Sequence, residues 1–325
     1  MVRLQKEDYI HGGVQKDVYM VGEKEDCVCL ICGSNSYDEI DTDRGLGIVK
    51  CRSCGLIFTN PRPRNAELNY FGDAEIFYNE AALIFKGKKS HHRDKNYRYE
   101  VNQIKKIKQK GRLLDVGTNM GFFLRIAREA GYETEGVEPS PALSKIACEQ
   151  WGLKIHTCFL QNAPLTGKSY DVITMIDVFE NVTQPQEMLR KCAELLKDDG
   201  IVLIKVPNGD YNYFKMKLSK ISGKKSSYDI WDCCEHVAHY NYTTFNKLIQ
   251  QSGFKLVKWI IPPPIHPPVW AQLVGHYYQY PSPKILDWRR RLLRKFFFWT
   301  GRVEMLFSKK VRFGPDLMFI IKKSN

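Results

Sequence analysis

A predicted strand that runs into an acidic residue and a glycine turn constrains this chain more than any other feature. The strand spans 112–116 and contains Asp115. Gly117 begins the turn and Gly121 ends it, and a helical pattern starts at Phe122. A strand, a glycine turn and a helix in this order form the opening of a nucleotide-type site in an α/β sheet.

The residues of the turn indicate which cofactor it suits. A dinucleotide-binding turn reads G-x-G-x-x-G and offers backbone N–H groups to a pyrophosphate. Here the first position is Asp115, and Asn119 replaces the middle glycine after Thr118. A carboxylate repels a pyrophosphate but attracts a cation. S-adenosylmethionine carries a sulfonium and an ammonium group and no phosphate, so the turn favours this donor.

A second carboxylate follows the next strand. Glu138 ends the predicted strand 133–138, where it could accept both hydroxyls of a ribose. Gly117 and Gly121 lack side chains where we expect the backbone to approach the ligand.

These residues resemble motifs I and II of the class I S-adenosylmethionine-dependent methyltransferases. Residues 170–177 resemble the family's fourth strand, and 195–208 resemble its fifth-strand signature, which ends in Pro207-Asn208. The resemblance implies cofactor contacts from ten residues, which are Asp115, Gly117, Thr118, Asn119, Gly121, Phe122, Glu138, Phe159, Leu160 and Asp177. For Phe159 and Leu160, packing in the core is an equal alternative to this contact. Asp177 could instead pair with a backbone amide.

Strand and helix patterns alternate from about 111 to 261, which predicts a mostly parallel sheet covered on both faces. The family resemblance makes this a Rossmann-like, seven-stranded, doubly wound α/β sheet. A last strand at 316–322 would be antiparallel and lie beside the fifth. We divide the chain into an N-terminal arm and zinc ribbon (1–62), a helical connector (63–110) and a methyltransferase domain (111–325) with an insertion at 262–314.

Four cysteines predict a metal site. Cys29 and Cys32 form one C-x-x-C pair, and Cys51 and Cys54 form a second after 18 intervening residues. This spacing is typical of a four-thiolate zinc ribbon, in which no coordination position stays open and the ion is structural. A redox pair or free thiols are the alternatives, and Cys27 is a spare thiol beside the first pair.

A zinc ribbon before such a domain resembles the sugar C-methyltransferases and the methyltransferases of polysaccharide and natural-product clusters. In the sugar enzymes a Glu-His pair supplies the base, and Glu235 and His236 match it. His236 is therefore the predicted general base, and Glu235 could orient it. His239 is the second candidate for the base. The alternative is a structural role for His236 in capping the helix predicted at 242–252.

The acceptor is predicted only as a class. The resemblance implies a small molecule or a glycan, either a free or a lipid-linked sugar. An O-methyltransferase of a natural-product or lipid pathway and an RNA-binding methyltransferase are alternatives. Residues 208–240 are predicted to be a long polar connection. Its aromatic residues either stack on a sugar or another flat ligand or pack in the core; they are Tyr211, Tyr213, Phe214, Tyr228 and Trp231.

The charge of +13 is concentrated near the C-terminus. Residues 286–314 contain nine Lys or Arg against two acidic residues, a net of +7, interleaved with aromatic residues. Such a helix could contact an anionic membrane, bind an anionic ligand, or pack on the protein; nucleic acid ranks below these partners. The polar N-terminus and the absence of a long apolar stretch predict a cytoplasmic protein, peripheral at the inner face of the membrane if the helix binds lipid.

Overall fold

The computed structural model describes residues 23–43, 45–64, 91, 93–222, 230–264 and 286–324. Three parts of the predictions lie outside these residues. They are the N-terminal arm at 1–22, most of the connector at 65–90, and the start of the insertion at 265–285.

Thirteen strands and seven helices are defined in the described residues. The strands are β1 (Lys24–Glu25), β2 (Tyr37–Asp43), β3 (Leu46–Cys51), β4 (Ile57–Thr59), β5 (Arg62–Pro63), β6 (Gly111–Val116), β7 (Tyr132–Val137), β8 (Lys154–His156), β9 (Tyr170–Ile176), β10 (Leu196–Pro207), β11 (Ala238–His239), β12 (Phe254–Ile260) and β13 (Asp316–Lys323). The helices are α1 (Asp94–Lys105), α2 (Phe122–Glu129), α3 (Pro141–Trp151), α4 (Pro185–Leu195), α5 (Gly209–Ser222), α6 (Tyr242–Gln251) and α7 (Leu286–Phe307).

The main sheet has seven strands in the order β12-β13-β10-β9-β6-β7-β8. β13 runs antiparallel to both of its neighbours, β10 and β12, and the other pairs are parallel. The predicted Rossmann-like sheet is confirmed, including the antiparallel last strand, β13, beside β10, which is the fifth strand of the predicted sheet.

Helices cover both faces of this sheet, because neighbouring residues of a strand point to opposite sides. In β6, Leu113 packs in one apolar cluster with Val101 of α1 and Leu124 of α2. The next residue, Leu114, packs in another cluster with Leu189 of α4. The near-continuous apolar runs of the central strands follow from this double burial.

A second, four-stranded sheet lies in the N-terminal region, in the order β11-β4-β3-β2. We call residues 23–64 the cysteine ribbon. Its edge strand β11 comes from about 180 residues further along the chain than its neighbour β4. Ala238 of β11 pairs with Phe58 of β4, and His239 pairs with Ile57. The ribbon sheet is thus completed by a segment that the predicted division at residue 62 assigns to the other domain.

The interpretation of 208–240 as a long polar connection was wrong for its first part, which is helical. Residues Gly209–Ser222 form α5, which buries Asn212 and Met216. The apolar residues of this segment do not fall on one helical face, so periodicity did not reveal the helix. Trp231 is 1% exposed and packs with Met216 and ribbon residues, which is core packing; Tyr228 lies outside the described residues.

No helix in the part of the chain that the structure describes is both long and apolar enough to cross a bilayer.

Candidate active site and cysteine cluster

The glycine turn follows β6 at the carboxyl edge of the main sheet. Gly117, Asn119 and Gly121 all have left-handed backbone angles, with φ of +73°, +53° and +80°. Glycine and asparagine are the residues that adopt this conformation at least cost. Asn119 therefore fits the turn in place of the middle glycine.

The two glycines are also required by neighbouring side chains. A Cβ at position 117 would lie 2.5 Å from Cγ2 of Val178, and one at position 121 would lie 2.6 Å from Cδ1 of Leu153. We expected these positions to be open towards a ligand. The structure gives protein packing as a further reason for glycine.

Asp115 is buried at the start of the turn. Its side chain accepts a hydrogen bond of 2.6 Å from Oγ1 of Thr174, and the residue is 3% exposed. Burial raises the pKa of this carboxyl to about 8, and the negative charges of Glu100 and Glu138 add to the effect. A cationic ligand would stabilise the ionised form, so this position suits a sulfonium or ammonium group.

Glu138 holds the turn in place from the end of β7. Its two carboxylate oxygens accept hydrogen bonds from the backbone N–H groups of Asn119 (2.7 Å) and Ser140 (2.9 Å). Thr118 donates its hydroxyl to the backbone oxygen of Asp115 at 3.0 Å, which closes the turn. Each oxygen of Glu138 retains a second lone pair, and contact with a ribose stays a prediction.

The predicted aromatic and apolar cofactor contacts lie in packed surroundings. Phe122 is 4% exposed and stacks on His91 with ring centroids 4.1 Å apart. Leu160 is buried in the large apolar cluster, whereas Phe159 is only half-buried. Core packing thus accounts for Phe122 and Leu160, and their contact with a cofactor is untested.

Asp177 follows β9 and is engaged by two cations that the sequence did not suggest. Arg93 donates to its carboxylate, and Nζ of Lys205 lies 3.2 Å from it. Burial opposes ionisation, but these cations outweigh it and lower the pKa of Asp177 to about 2. Asp177 is therefore a permanent anion within an ion-pair network, and its contact with the cofactor stays a prediction.

His236 lies beside a buried carboxylate that sequence reasoning missed. Its Nε2 is 3.9 Å from Oε1 of Glu180, a distance at which the two form an ion pair only when the histidine is protonated and the carboxyl ionised. Glu180 is 2% exposed, and burial raises its pKa well above the usual range. It belongs to the same short segment as Val178, whose side chain covers Gly117. His236 is thereby placed next to the segment that borders the glycine turn.

Two further atoms of this region need polar partners. Oε2 of Glu180 and Oδ1 of Asn181 are buried, and within the described residues no hydrogen-bond donor reaches either. Buried acceptors without donors are rare in folded proteins, and a bound ligand is one way to satisfy them.

The other two predicted catalytic residues differ from His236. His239 is 2% exposed, and burial lowers its pKa well below the ordinary value. It packs against Trp231 within the ribbon sheet. Glu235 is half-buried, and its backbone N–H donates to the oxygen of Asp232 at 3.0 Å. Of the two histidines, only His236 keeps part of its ring open to a substrate.

The cysteine ribbon fixes the backbone around His236. The hydroxyl of Thr59 donates to the carbonyl oxygen of His236 at 2.9 Å, and the Thr59 N–H donates to that of Val237 at 3.1 Å. The N–H of Val237 donates in turn to the carbonyl of Glu180 at 2.9 Å. We call this set of bonds the Thr59 clamp. It ties the ribbon, the His236 segment and the end of β9 into one unit.

The four predicted cysteine sulfurs converge in the ribbon. The distance is 3.3 Å between the sulfurs of Cys29 and Cys54, and 3.6 Å between those of Cys32 and Cys51. All four lie within 4.8 Å of one another. A tetrahedral ion with Zn–S bonds of about 2.3 Å separates its sulfurs by about 3.8 Å, so the cluster fits zinc. Cys27 stays outside, with its sulfur 3.6 Å from the oxygen of Thr59.

The fold and the site together have the features of a class I methyltransferase domain: a seven-stranded sheet with an antiparallel last strand, and an acidic glycine turn at its carboxyl edge. Residues 90–258 match the family described as "Methyltransferase domain". This is more than half of the chain, and the chain belongs to that family.

Individual relatives are more distant. The chain is 30% identical to a ubiquinone biosynthesis O-methyltransferase of Cereibacter sphaeroides over 112 residues. The matched stretch is 33% of this chain and 45% of that enzyme. The chain thus spans less than half the length of the curated relatives of this kind. A solved S-adenosylmethionine-dependent methyltransferase from Archaeoglobus fulgidus is 19% identical and covers 76% of this chain and 100% of that one, with a TM-score of 0.46.

Proposed function

We propose that this methyltransferase transfers a methyl group to a small-molecule or glycan-type acceptor, either a free or a lipid-linked sugar, with His236 as general base. The observation that supports the base is the pairing of His236 with Glu180, 3.9 Å apart, beside the segment that covers Gly117. The match of Glu235 and His236 to the sugar C-methyltransferases supports the acceptor class.

The chemistry requires a base if the acceptor is a hydroxyl or a C–H beside a carbonyl. S-adenosylmethionine, when bound, supplies an activated methyl group. His236 would take the acceptor proton, which converts a weak nucleophile into a strong one and contributes about 10²–10⁴-fold in rate. Glu180 would then face an imidazolium, and the ion pair offsets the burial of its carboxylate.

Cofactor placement in this proposal depends on the two carboxylates of the turn. Asp115 would face the positive end of the donor, and Glu138 would accept the ribose hydroxyls. Holding donor and acceptor in line can contribute about 7–11 kcal/mol to such a displacement. The rigid turn, braced by Glu138 on Asn119, suits that task.

We further propose that the four cysteines bind one structural Zn²⁺. The convergence of the four sulfurs within 4.8 Å supports this ion, since thiolates are its preferred ligands in closed sites. Its role would be to hold the ribbon, and through the Thr59 clamp the His236 segment.

A second candidate is O-methylation in a lipid or natural-product pathway. The similarity of 112 residues to ubiquinone biosynthesis O-methyltransferases favours it. The two candidates share the donor site and the base and differ in the acceptor atom.

Methyl transfer from labelled S-adenosylmethionine to a panel of acceptors tests the proposal. The panel contains nucleotide sugars, lipid-linked sugars and phenolic lipids. Methylation of a sugar supports the first candidate, and methylation of a phenol alone supports the second. If the protein binds the donor but His236→Asn retains full activity on the methylated acceptor, the assignment of the base is wrong.

A further inference from the structure

Helix α7 exposes a continuous apolar stripe. Each of its members is at least 55% exposed, and successive members are spaced by four and three residues, with one extra at the end. They are Leu292, Phe296, Trp299, Val303, Leu306 and Phe307. This spacing places all of them along one side of the helix.

The opposite side of α7 is anchored to the protein. Phe298 is buried, and Phe297 packs against Tyr211 of α5 with ring centroids 5.9 Å apart. A Cβ at Gly301 would lie 2.3 Å from the carbonyl oxygen of Phe313, so the helix and the following chain are in close contact there. The stripe therefore lies on a helix held firmly on its other side.

The anchored helix is linked to the active-site edge of the main sheet. The Nδ2 of Asn208, directly after β10, donates to the carbonyl oxygens of Val311 and Gly314 at 3.0 Å each. Lys205, three residues earlier, pairs with Asp177. The segment that follows α7 is thus fixed at the strand end that borders the candidate site.

The exposed charges beside the stripe are mostly positive. Lys295, Lys309 and Lys310 are exposed, and Arg312, also exposed, lies 3.5 Å from the carboxylate of Glu304. Glu304 is half-buried, and its carboxylate accepts from the backbone N–H groups of Arg312 and Phe313. A second copy packed on the stripe would bring like charges together. A surface that is anionic outside and apolar beneath matches both features.

We propose that α7 lies in the interface of an anionic membrane, with the stripe in the headgroup region and the lysines towards lipid phosphates. Trp and Phe are the residue types that favour this depth. Docking of this kind would bring the carboxyl edge of the sheet near the bilayer surface. The proposal does not depend on the acceptor, and it can fail while the proposed methyl transfer holds.

Flotation of the full-length protein with phosphatidylcholine vesicles, with and without phosphatidylglycerol, tests this. We expect flotation with the anionic vesicles that weakens as salt is raised. The double variant Phe296→Ser/Trp299→Ser should weaken binding by at least about tenfold. Lys295→Gln and Lys310→Gln should each weaken it by about fivefold.

Leu218→Ser/Ile221→Ser is the matched control, because these residues of α5 are also exposed, at 48% and 83%. It should float like the unaltered chain. Donor affinity, measured by calorimetry on each variant, establishes that the fold is retained. Failure of the unaltered protein to float, or equal loss in the control, would overturn the proposal. So would dimers in light scattering that Phe296→Ser/Trp299→Ser converts to monomers, since a second copy would then cover the stripe.

Discussion

Single residues decide how this site recognises charge. Asp115 and Glu180 are both buried carboxyls with raised pKa values, and each is next to a position where positive charge is expected during the reaction. Asp115 would meet the cationic donor and Glu180 the protonated His236. Raised values of this kind are typical of functional sites, because a ligand or intermediate supplies the missing counter-charge.

Donor binding should depend on pH through Asp115. In the free protein its carboxyl is largely protonated below about pH 8, and a cation stabilises only the ionised form. Affinity for S-adenosylmethionine should therefore rise between pH 6.5 and pH 9, and binding near neutrality should release a proton.

Calorimetry in buffers of different ionisation enthalpy measures that proton. Asp115→Asn should weaken binding by about ten- to a hundredfold and remove most of the pH dependence. A pH dependence that survives in Asp115→Asn would assign the titration to another group, with Glu138 the first alternative.

The pairing of His236 with Glu180 predicts unequal effects of two glutamate variants. His236→Asn should lower kcat by about 10²–10⁴-fold with little change in KM for the donor. Glu180→Gln should lower kcat by about tenfold, because the neutral amide stabilises the imidazolium less. Glu235→Gln is the matched comparison. A larger loss in Glu235→Gln than in Glu180→Gln would reverse the assignment of the supporting carboxylate.

At the scale of elements, the cysteine ribbon and the catalytic domain are not independent. β11 belongs to the ribbon sheet by hydrogen bonding and to the His236 segment by sequence. The Thr59 clamp adds bonds to His236 and Val237. Substitutions that disturb the ribbon should therefore lower kcat more than they lower the affinity for the donor.

Thr59→Val tests the clamp, since valine preserves the shape and loses the hydroxyl. We expect kcat to fall by about tenfold with donor affinity unchanged, because the His236 carbonyl loses its donor and the segment shifts. Thr42→Val, an exposed position of β2, is the control. The clamp has no catalytic importance if both variants keep the pH profile and rate of the unaltered chain.

The cysteine cluster predicts one zinc ion per chain by elemental analysis. Strong chelators should lower the melting temperature and the rate while donor affinity is largely kept, since the ribbon contacts the His236 segment. Cys54→Ser should do the same, and Cys27→Ser, whose sulfur lies outside the cluster, should not. A full zinc content in Cys54→Ser would contradict the four-cysteine site.

At the scale of the whole molecule, a buried ion network joins four elements. Lys205 of β10 is fully buried, with Nζ 3.8 Å from Glu100 of α1 and 3.9 Å from Asp316 of β13. It also lies 3.2 Å from Asp177 after β9. Burial raises the pKa of Glu100 to about 7, so this carboxyl carries only part of its charge near neutrality.

Lys205→Met should reduce the free energy of unfolding by about 3–5 kcal/mol, because it removes the buried cation shared by Glu100 and Asp316 and leaves Asp177 with Arg93 alone. Lys197→Met is the control, since Lys197 pairs with Asp171 at 2.8 Å but is 43% exposed. Its loss should be below about 1 kcal/mol. Urea denaturation measures both, and equal losses would show that the network does not hold the four elements together.

The sequence by itself determined the sheet and the acidic glycine turn at its carboxyl edge. The apolar strands, the left-handed turn residues, the carboxylate near the end of β6 and the carboxylate directly after β7 are local features, and local patterns report them. The paired C-x-x-C spacing likewise indicated which four thiols would meet.

Only the tertiary structure decided which distant residues share an environment. Glu180 and His236 are 56 positions apart in sequence, and no local pattern connects them. The same holds for Thr59, Arg93 and Lys205, whose partners come from other elements. Helix α5 was missed because packing rather than periodicity stabilises it. Which side of α7 faces outward also became visible only once its other side had packed, because contacts, not composition, choose the face.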